Sequence, residues 1–533
     1  MYLVSGVDNY RDGRRWVVNG AEALLRTLVD ADVDVCFANP GTSEMHFVAA
    51  LDRVPGMRAV LGLFEGVVTG MADGYARMAG KPPVTLLHLG PGLANGLANL
   101  HNARRASSPI VNVVGDHAIT HAQYDAPLAS DVVGFARPVS AWVHSSTSAA
   151  TVGSDAARAV QAARHHPGQI ATLVLPADVA WTEGATPAPV LAPVAASTVS
   201  SEAVTRAITA LRDGGSRAAI LMRGEALQDR GLRAAGRIAA ATGARLLCDT
   251  FAPRLARGAG RVAVERLPYF AEQLVESLAS VEQLIIVGSK PPVSFFAYPG
   301  KPGWCTPEGA TITYLAHAHE DGVGALEAAA AEFSAKPFAA ELALPDEPTG
   351  PLNQFTIGQV IARYLPDEAI VSDEAATNGL GAGLALATAR PHDHLSLTGG
   401  SIGQGLPLAG GAAVACPDRK VVCLHGDGGA MYTVQSLWTQ ARENLDVTTV
   451  IFSNRAYAIL QIELSRTGAR DLMGEGDQKA LSMFDLANPE LDWVQLAGGM
   501  GVQAVSVHDI AEFSDAFQSA MKQRGPRLIE VVL

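Results

Sequence analysis

The chain has 533 residues, 48% of them hydrophobic and 17% charged, which excludes disordered and fibrous proteins and predicts about three domains. Its formal net charge is −13 and no block of Lys or Arg reverses it, so neither nucleic acid nor a membrane surface is expected as a partner. No apolar run reaches the length of a membrane span, and the five cysteines are scattered without metal or redox spacing. These features predict a cytoplasmic protein.

The first part of the chain alternates strand-like and helix-like segments. Residues 1 to 15 are polar and are predicted to form a mobile tail. Residues 16 to 181 are predicted to form the first domain, and its apolar runs predict strands at 33–38, 84–89, 110–115 and 172–175. Strands that alternate with helices in this way indicate a parallel sheet with crossover helices.

Two stretches rich in Pro, Ala and Thr interrupt the alternation, at 181–201 and at 336–352, and are interpreted as linkers. Between them lies a predicted central domain, 200–336, with strands expected at 219–222, 246–248 and 283–288. The last domain is predicted at 352–533. The expected fold class is therefore α/β, with three doubly wound parallel-sheet domains.

The most informative motif is His425-Gly-Asp-Gly-Gly-Ala430, which follows an apolar run, and Asn454 follows the next apolar run, 448–452. Asp427 offers a carboxylate and Asn454 an amide oxygen, the hard ligands that Mg²⁺ prefers. Gly428 and Gly429 leave backbone N–H groups accessible at the start of a helix predicted from Met431 to Glu443. Both ligands end parallel strands, where open α/β sheets bind ligands. The motif predicts a Mg²⁺-diphosphate site; the alternative is a pair of ordinary turns.

The 27-residue step from Asp427 to Asn454 resembles the signature of the thiamine-diphosphate-dependent enzymes of the acetolactate synthase, benzoylformate decarboxylase and pyruvate decarboxylase group. The resemblance implies thiamine diphosphate and Mg²⁺ as cofactors, with pyrimidine-binding, central and diphosphate-binding domains. It implies Asp427, Asn454 and the Ala456 carbonyl as metal ligands. Further cofactor contacts are implied for Gly426, Gly428, Gly429 and Tyr457.

The family activates its cofactor with a glutamate of the first domain, and Glu65 lies in a segment, LFEGVVTGMADGYAR from residue 63, that is similar to the family's. The resemblance implies that Glu65 promotes formation of a C2 carbanion, which adds to a 2-oxo acid and, after loss of CO₂, leaves an enamine. An apolar surrounding is expected for this carboxyl group. The alternative for Glu65 is a charged residue in the first turn of a helix.

Two further segments resemble cofactor loops. In residues 399 to 407, the resemblance implies that the Gly400 carbonyl accepts a hydrogen bond from the cofactor's amino group and that Ile402 holds the cofactor bent. An alternative for Ile402 is an ordinary core side chain. Thr377, after Asp373 and Glu374, is the candidate for a diphosphate contact.

The substrate end of the pocket is assigned to His88 and Thr42. His88 lies 23 residues after Glu65, a spacing similar to that of the pocket histidine of benzoylformate decarboxylase, and an imidazole orients carboxylates and relays protons near neutral pH. The alternative is a hydrogen-bonded histidine at a strand end. Thr42 matches a substrate-binding serine, with an N-cap role before Glu44 as its alternative.

Phe296 and Ile459 are predicted to border the substrate and to favour a small or aliphatic 2-oxo acid. The region 291–298 has no histidine, so the two-histidine relay of benzoylformate decarboxylase is not expected. His117 and His121 are four residues apart without a third ligand and are interpreted as surface loop residues.

The predicted function is a thiamine-diphosphate-dependent decarboxylase and carboligase acting on 2-oxo acids. The alternatives are an acetolactate synthase, which joins two pyruvates with loss of CO₂, and a catalytically silent relative. The resemblance implies a homodimer at minimum, with a homotetramer expected, because the family's cofactor lies between domains of two subunits. FAD is not supported, since Arg223-Gly224-Glu225 is not a nucleotide fingerprint.

Overall fold

The computed structural model describes residues 10–11, 14–15, 17–472 and 479–533. The predicted tail, 1–15, otherwise lies outside the described residues; within it, strands β1 (Tyr10–Arg11) and β2 (Arg14–Arg15) pair antiparallel. The chain forms two compact units. Unit 2 comprises Asp73–Ala79, His101–Ser108 and Ala195–Leu533, and unit 1 comprises the rest of the chain up to Val194.

Unit 1 is built on a parallel sheet with the strand order β4-β3-β5-β6-β8-β7. Its strands are β3 (Val35–Asn39), β4 (Arg58–Leu61), β5 (Val84–Leu87), β6 (Ile110–Asp116), β7 (Trp142–Ser145) and β8 (Ile170–Pro176). The helices that begin in this region are α1 (Gly20–Asp30), α2 (Met45–Leu51), α3 (Glu65–Ala79), α4 (Leu89–Ala106), α5 (Val132–Ala136), α6 (Val152–Ala163) and α7 (Ala177–Trp181). Strands β5, β6 and β8 are buried almost throughout, as expected for continuous apolar runs in a parallel sheet.

Unit 2 contains a second parallel sheet with the order β12-β10-β9-β13-β14. The strands of this region are β9 (Ala218–Met222), β10 (Arg245–Cys248), β11 (Leu255–Arg257), β12 (Glu265–Arg266), β13 (Gln283–Val287) and β14 (Thr311–Ala316). Its helices are α8 (Ser201–Gly214), α9 (Asp229–Thr242), α10 (Ala271–Leu278) and α11 (Gly322–Ala330). Strand β11 is not part of this sheet; it pairs antiparallel with β16 of the third sheet.

The third sheet, also in unit 2, has the order β11-β16-β15-β17-β18-β20-β19 and is parallel apart from β11. Its further strands are β15 (Ala369–Glu374), β16 (His392–Ser396), β17 (Val421–Gly426), β18 (Val447–Ser453), β19 (Gln503–Val507) and β20 (Arg527–Val532). The helices are α12 (Gln354–Tyr364), α13 (Leu380–Ala385), α14 (Gly405–Ala415), α15 (Asp427–Ala430), α16 (Ser436–Arg442), α17 (Ala458–Arg466), α18 (Lys479–Ser482), α19 (Trp493–Gly499) and α20 (Ile510–Lys522).

The predicted fold class is confirmed, because the described residues form three mainly parallel sheets whose strands alternate with helices along the chain. The exact domain limits stay a prediction. In the part of the chain that the structure describes, no helix has the length and apolarity that a membrane span requires.

Each sheet has a point where the strand order reverses, and open α/β sheets bind ligands at the carboxyl ends of the two strands there. In the first sheet, the reversal lies between β3 and β5. In the third, it lies between β15 and β17. The residues that follow these four strands are therefore the first place to look for a functional site in each unit.

Candidate active site

Glu65 opens α3 in unit 1, and it is buried, with 7% of its surface exposed. Its Oε2 accepts a hydrogen bond of 3.0 Å from Asn95 Nδ2. Gly92 lies against it: a Cβ at this position would stand 3.1 Å from Glu65 Oε1 and 3.3 Å from the Cβ of His88. The structure thus places Glu65 and His88 on either side of one glycine, with an amide that orients the carboxyl group.

His88 follows β5 at the reversal point of the first sheet, and its side chain is 22% exposed. Its Nδ1 lies 2.8 Å from Glu44 Oε2 and 3.2 Å from Ser43 Oγ. Because Nδ1 faces a carboxylate, we assign the proton of the neutral imidazole to Nδ1, which leaves Nε2 as the nitrogen that accepts a proton. This pairing fixes the orientation of the ring.

Glu44 is the partner that sequence reasoning missed. It is 2% exposed, and its carboxylate accepts the Gly41 N–H at 2.7 Å and a short hydrogen bond from Ser43 Oγ. A Cβ at Gly115 would stand 1.7 Å from Glu44 Oε1, and one at Gly41 would stand 2.3 Å from His88 Nδ1. The local signal is a glutamate three residues after Gly41, which is the carboxylate half of a capping box; Gly41 has no side chain to supply the other half.

Thr42 is exposed at the start of the 3₁₀ turn Thr42–Glu44. The N-cap alternative for Thr42 is wrong, because the N-cap of this turn is Gly41. The hydroxyl that contacts His88 belongs to the neighbouring Ser43.

Asp427 and Asn454 follow the adjacent strands β17 and β18 in unit 2. Asp427 is 3% exposed; its Oδ1 accepts the Gly428 N–H at 2.8 Å and its Oδ2 accepts the Arg455 N–H at 2.7 Å. Asn454 Oδ1 accepts the Ala456 N–H at 3.2 Å. Burial raises the pKa of the Asp427 carboxyl, and the two backbone hydrogen bonds oppose that shift.

The glycines after Asp427 are closely packed against neighbouring side chains. A Cβ on Gly428 would stand 2.4 Å from Tyr457 Cε1, and one on Gly429 would stand 3.0 Å from Glu374 Oε1. Gly426 ends β17 and is half-buried. The helix begins at Asp427 rather than at Met431 as predicted, and a 3₁₀ turn at Met431–Thr433 separates α15 from α16.

Glu374 ends β15 at the reversal point of the third sheet, and sequence reasoning did not single it out. It is 5% exposed, and its two carboxylate oxygens accept the Gly403 and Gly405 N–H groups, each at 2.6 Å. His425 Nε2 lies 3.4 Å from Glu374 Oε2. One buried carboxylate therefore connects the end of β15, the end of β17 and the turn before α14.

The other predicted cofactor contacts in unit 2 lie around these strand ends. Gly400 has φ +74°, a left-handed conformation that favours glycine, and Ile402 is half-buried in the same loop. Thr377 is half-buried in the turn Ala376–Asn378, after β15. Tyr457 Oη lies 3.5 Å from the Gly428 carbonyl, and burial raises the pKa of its phenol.

The two predicted substrate neighbours in unit 2 differ in exposure. Ile459 is half-buried in the first turn of α17, whereas Phe296 is 56% exposed and belongs to an aromatic cluster with Phe295 and Tyr298. Among the described residues, the ring contacts of Phe296 are with Phe295 and Tyr298, and its carbonyl accepts a hydrogen bond from Ser294 Oγ. These contacts do not join it to Asp427 or Asn454.

The paired histidines His117 and His121 have ring centroids 5.7 Å apart, and His121 is exposed. Among the described residues, no group of three or more His, Cys, Asp or Glu side chains is arranged to hold a metal ion. An oxygen site made of one carboxylate, one amide and a backbone carbonyl, as expected for Asp427, Asn454 and Ala456, contains only one side chain of these four types.

The chain is similar to known proteins along nearly all of its length. Residues 18–134 match the N-terminal thiamine pyrophosphate binding domain of thiamine pyrophosphate enzymes, and residues 374–531 match the C-terminal one. The chain is 53% identical to the "Putative acetolactate synthase large subunit IlvX" of Mycobacterium tuberculosis, over 97% of this chain and 99% of that protein. It is 28% identical to the benzoylformate decarboxylase of Pseudomonas aeruginosa, over 93% and 95% of the two chains.

The fold is shared with solved structures of low sequence identity. The thiamine diphosphate-dependent 4-hydroxybenzoylformate decarboxylase of Rhodococcus jostii RHA1 superposes with a TM-score of 0.82 at 23% identity, over 96% of this chain and 98% of that one. A protein from Mycobacterium smegmatis, described as "a putative thiamin diphosphate-dependent enzyme", gives a TM-score of 0.80 at 23% identity, over 97% of this chain and 99% of that one. The family predicted from the sequence motifs is confirmed, and the chain belongs to the thiamine pyrophosphate enzyme family.

Proposed function

We propose that this protein is a Mg²⁺- and thiamine-diphosphate-dependent decarboxylase and carboligase of 2-oxo acids. The observation that carries the proposal is the arrangement in unit 2. A buried carboxylate, Asp427, and an amide oxygen, Asn454, follow adjacent strands, beside Gly428 and Gly429, where a side chain would crowd Tyr457 and Glu374. This combination of hard oxygen ligands and close backbone approach suits a metal-bound diphosphate.

The residues present fit the metal on physical grounds. Burial raises the pKa of Asp427, which means that its anionic form is poorly solvated and that a bound divalent cation would offset this cost. The Arg455 N–H, hydrogen-bonded to Asp427, ties the second strand end to the first. We assign Asp427, Asn454 and the Ala456 carbonyl as the Mg²⁺ ligands, and Gly426, Gly428, Gly429, Thr377 and Tyr457 as contacts of the diphosphate end.

Thiamine diphosphate, when bound, supplies an electron sink for cleavage of the bond between the carboxylate and carbonyl carbons of a 2-oxo acid. Glu65 is the residue that we assign to proton control at the aminopyrimidine ring. Asn95 holds one of its oxygens and its burial excludes water, so the carboxyl group keeps one orientation. Gly400 and Ile402 are assigned to the pyrimidine end as well.

His88 is assigned to the substrate. With Nδ1 held by Glu44, its Nε2 is the ring atom able to hold or release a proton at the substrate carboxylate or carbonyl oxygen. The exposure of Thr42 and the contact between Ser43 and His88 make both hydroxyls candidates for the same end. Phe296 and Ile459 are proposed to limit the size of the substrate side chain.

A second candidate function is acetolactate synthesis from two pyruvates. It is favoured by the 53% identity to a protein described as an acetolactate synthase large subunit. The decarboxylase reading is favoured by His88, whose spacing from Glu65 resembles that of benzoylformate decarboxylase, a relative over nearly the whole chain.

The two candidates are separated by a panel of 2-oxo acids supplied with thiamine diphosphate and Mg²⁺, with all products identified by mass. The panel contains pyruvate, longer aliphatic 2-oxo acids and benzoylformate. Free aldehydes or mixed 2-hydroxyketones from aliphatic 2-oxo acids support the proposal, whereas 2-acetolactate as the sole product would establish the second candidate. No CO₂ release from any 2-oxo acid would indicate a catalytically silent relative.

We also propose that the working form is a homodimer or a tetramer of two dimers, since the family resemblance implies that the two ends of the cofactor bind to domains of different subunits. Sedimentation of the active enzyme tests this. A monomer with full turnover would contradict it.

A further inference from the structure

We propose that Arg77 is a positioning residue that, through hydrogen bonds from the ends of α3 and α4, sets the loop carrying Gly400 and Ile402 in its cofactor-binding conformation. The inference rests on the proposed function, because it concerns the loop that we assign to the aminopyrimidine. All residues that carry it belong to unit 2. The term "pyrimidine loop" is used below for residues 396 to 404.

Arg77 uses every N–H of its guanidinium. Its Nε and Nη2 form a fork with Asp73, at 2.8 and 2.6 Å. Its Nη1 donates to the carbonyls of Pro253 and Ser396, at 3.1 and 2.8 Å, and its Nη2 also donates to Thr398 Oγ1 at 2.9 Å. A planar fork with five donors makes this set of contacts, which a lysine ammonium cannot reproduce.

Asp73 is equally saturated, and it reaches the other end of the pyrimidine loop. Besides the Arg77 fork, it accepts Ser108 Oγ and Gln404 Nε2, both at 2.5 Å. The side chains of the pair are 2% and 0% exposed. A buried ion pair is stable only where its remaining hydrogen-bonding capacity is satisfied. Here Pro253 and Ser108 take two of the remaining hydrogen bonds, and the two ends of the pyrimidine loop take the others.

The end of α4 holds the middle of the pyrimidine loop. Asn102 donates through Nδ2 to the Ser401 carbonyl at 2.8 Å and accepts the Ser401 N–H through Oδ1 at 3.2 Å. His101 Nε2 lies 3.1 Å from the Gly399 carbonyl, and Thr398 Oγ1 donates to the Asn102 carbonyl at 2.7 Å. Thr398 thus joins Asn102 to Arg77 directly.

Gly400 and Ile402, which we assign to the aminopyrimidine, lie between the loop residues that the helix ends contact. The helix ends form hydrogen bonds with five residues of the loop: Ser396, Thr398, Gly399, Ser401 and Gln404. Gly400 lies between two anchored neighbours, and a Cβ on it would meet no atom within 4 Å. Ile402, also between anchored residues, is half-buried. The network therefore fixes the backbone on both sides of Gly400 and Ile402, the two residues that we assign to the aminopyrimidine.

The experiment compares Arg77→Lys and the nearly isosteric Thr398→Val with a matched control, Arg419→Lys. Arg419 also bridges a buried carboxylate, Asp393, and backbone carbonyls, but it does so at the amino ends of the strands. Each full-length protein is measured for thermal stability, for thiamine diphosphate affinity with saturating Mg²⁺, for kcat and KM, and for the near-ultraviolet circular dichroism of the bound cofactor.

We expect kcat to fall on the order of 10²-fold in Arg77→Lys, as for a misplaced reacting group, with a smaller fall in Thr398→Val and little change in KM. The dichroism of the bound cofactor should change in both variants and remain native in the control, a difference that a loss of stability alone would not produce. Folded variants with native dichroism and with kcat equal to that of the control would overturn the inference. If the unmodified protein itself bound no thiamine diphosphate, the proposed function would fail instead.

Discussion

The buried carboxylate of Glu374 offers a quantitative test of how the third sheet builds its ligand-binding edge. Its two hydrogen bonds, each 2.6 Å to the Gly403 and Gly405 N–H groups, join a charged acceptor to backbone donors. Bonds of this kind contribute about 1.5–3 kcal/mol each, so Glu374→Ala should cost about 3–6 kcal/mol and leave two orphaned donors. Glu374→Gln keeps one acceptor but presents an NH₂ donor to the other backbone N–H, so it too should be destabilising.

The assay is urea unfolding followed by far-ultraviolet circular dichroism, with variants compared through their shifts in midpoint, because a chain of several domains has no single two-state free energy. The control is Glu327→Ala, which removes an exposed partner of Arg230 at 2.8 Å and should shift the midpoint little, because solvent screens this ion pair. If Glu374→Ala shifted the midpoint no more than this control does, the assigned role of the Glu374 carboxylate would be refuted.

Three further predictions concern named side chains. Asp427→Ala should abolish the Mg²⁺ dependence of thiamine diphosphate binding, measured by calorimetry. In the unmodified protein, the pKa of Asp427 is raised above 3.8, and the protonated carboxyl group cannot bind a cation. As the pH is lowered, the Mg²⁺ affinity should therefore begin to fall at a higher pH than it would for an ordinary aspartate. Glu44→Ala should release the His88 ring and lower kcat/KM for the 2-oxo acid on the order of 10²-fold, with unchanged affinity for thiamine diphosphate. An equal loss of kcat/KM and of cofactor affinity would argue against a substrate role for His88. Burial lowers the pKa of His392 from 6.5 to about 3, so between these two pH values the unfolded state binds more protons than the folded state. Stability should therefore decrease as the pH is lowered through this range, by up to ~1.4 kcal/mol per pH unit. His392→Gln should flatten this slope of stability against pH, and an unchanged slope would contradict the assignment.

The alternation of apolar runs and helices was sufficient to predict the fold class, and several strands lie within a residue or two of their predicted positions. The run predicted at 448–452 is β18, Val447–Ser453. Strand β16, His392–Ser396, was not predicted because its polar sequence lacks an apolar run; its side chains are nevertheless buried, and partners such as Arg254 and Arg419 compensate the Asp393 charge. Such compensation is tertiary and leaves no local pattern.

The site was predictable where a motif carries its own chemistry, as in the segment around Asp427. It was not predictable for Glu44 and Glu374, because a glutamate near a helix start or a strand end is ordinarily a solvated residue. Only the topology shows that both follow strands beside the reversal point of a sheet, where they become buried acceptors. The contact of Ser43, rather than Thr42, with His88 depends on the turn geometry of Thr42–Glu44 in the same way.

We infer that the buried Glu65 controls the proton chemistry of a thiamine diphosphate bound to this protein. Its most direct test is the rate of hydrogen–deuterium exchange at C2 of the bound cofactor, measured by quenched-flow NMR for the unmodified protein and for Glu65→Gln. We predict that both proteins bind the cofactor with Mg²⁺ and that exchange in the variant is slower on the order of 10²–10⁴-fold, the contribution of a positioned acid–base group. Equal exchange rates in the two proteins would contradict the claim.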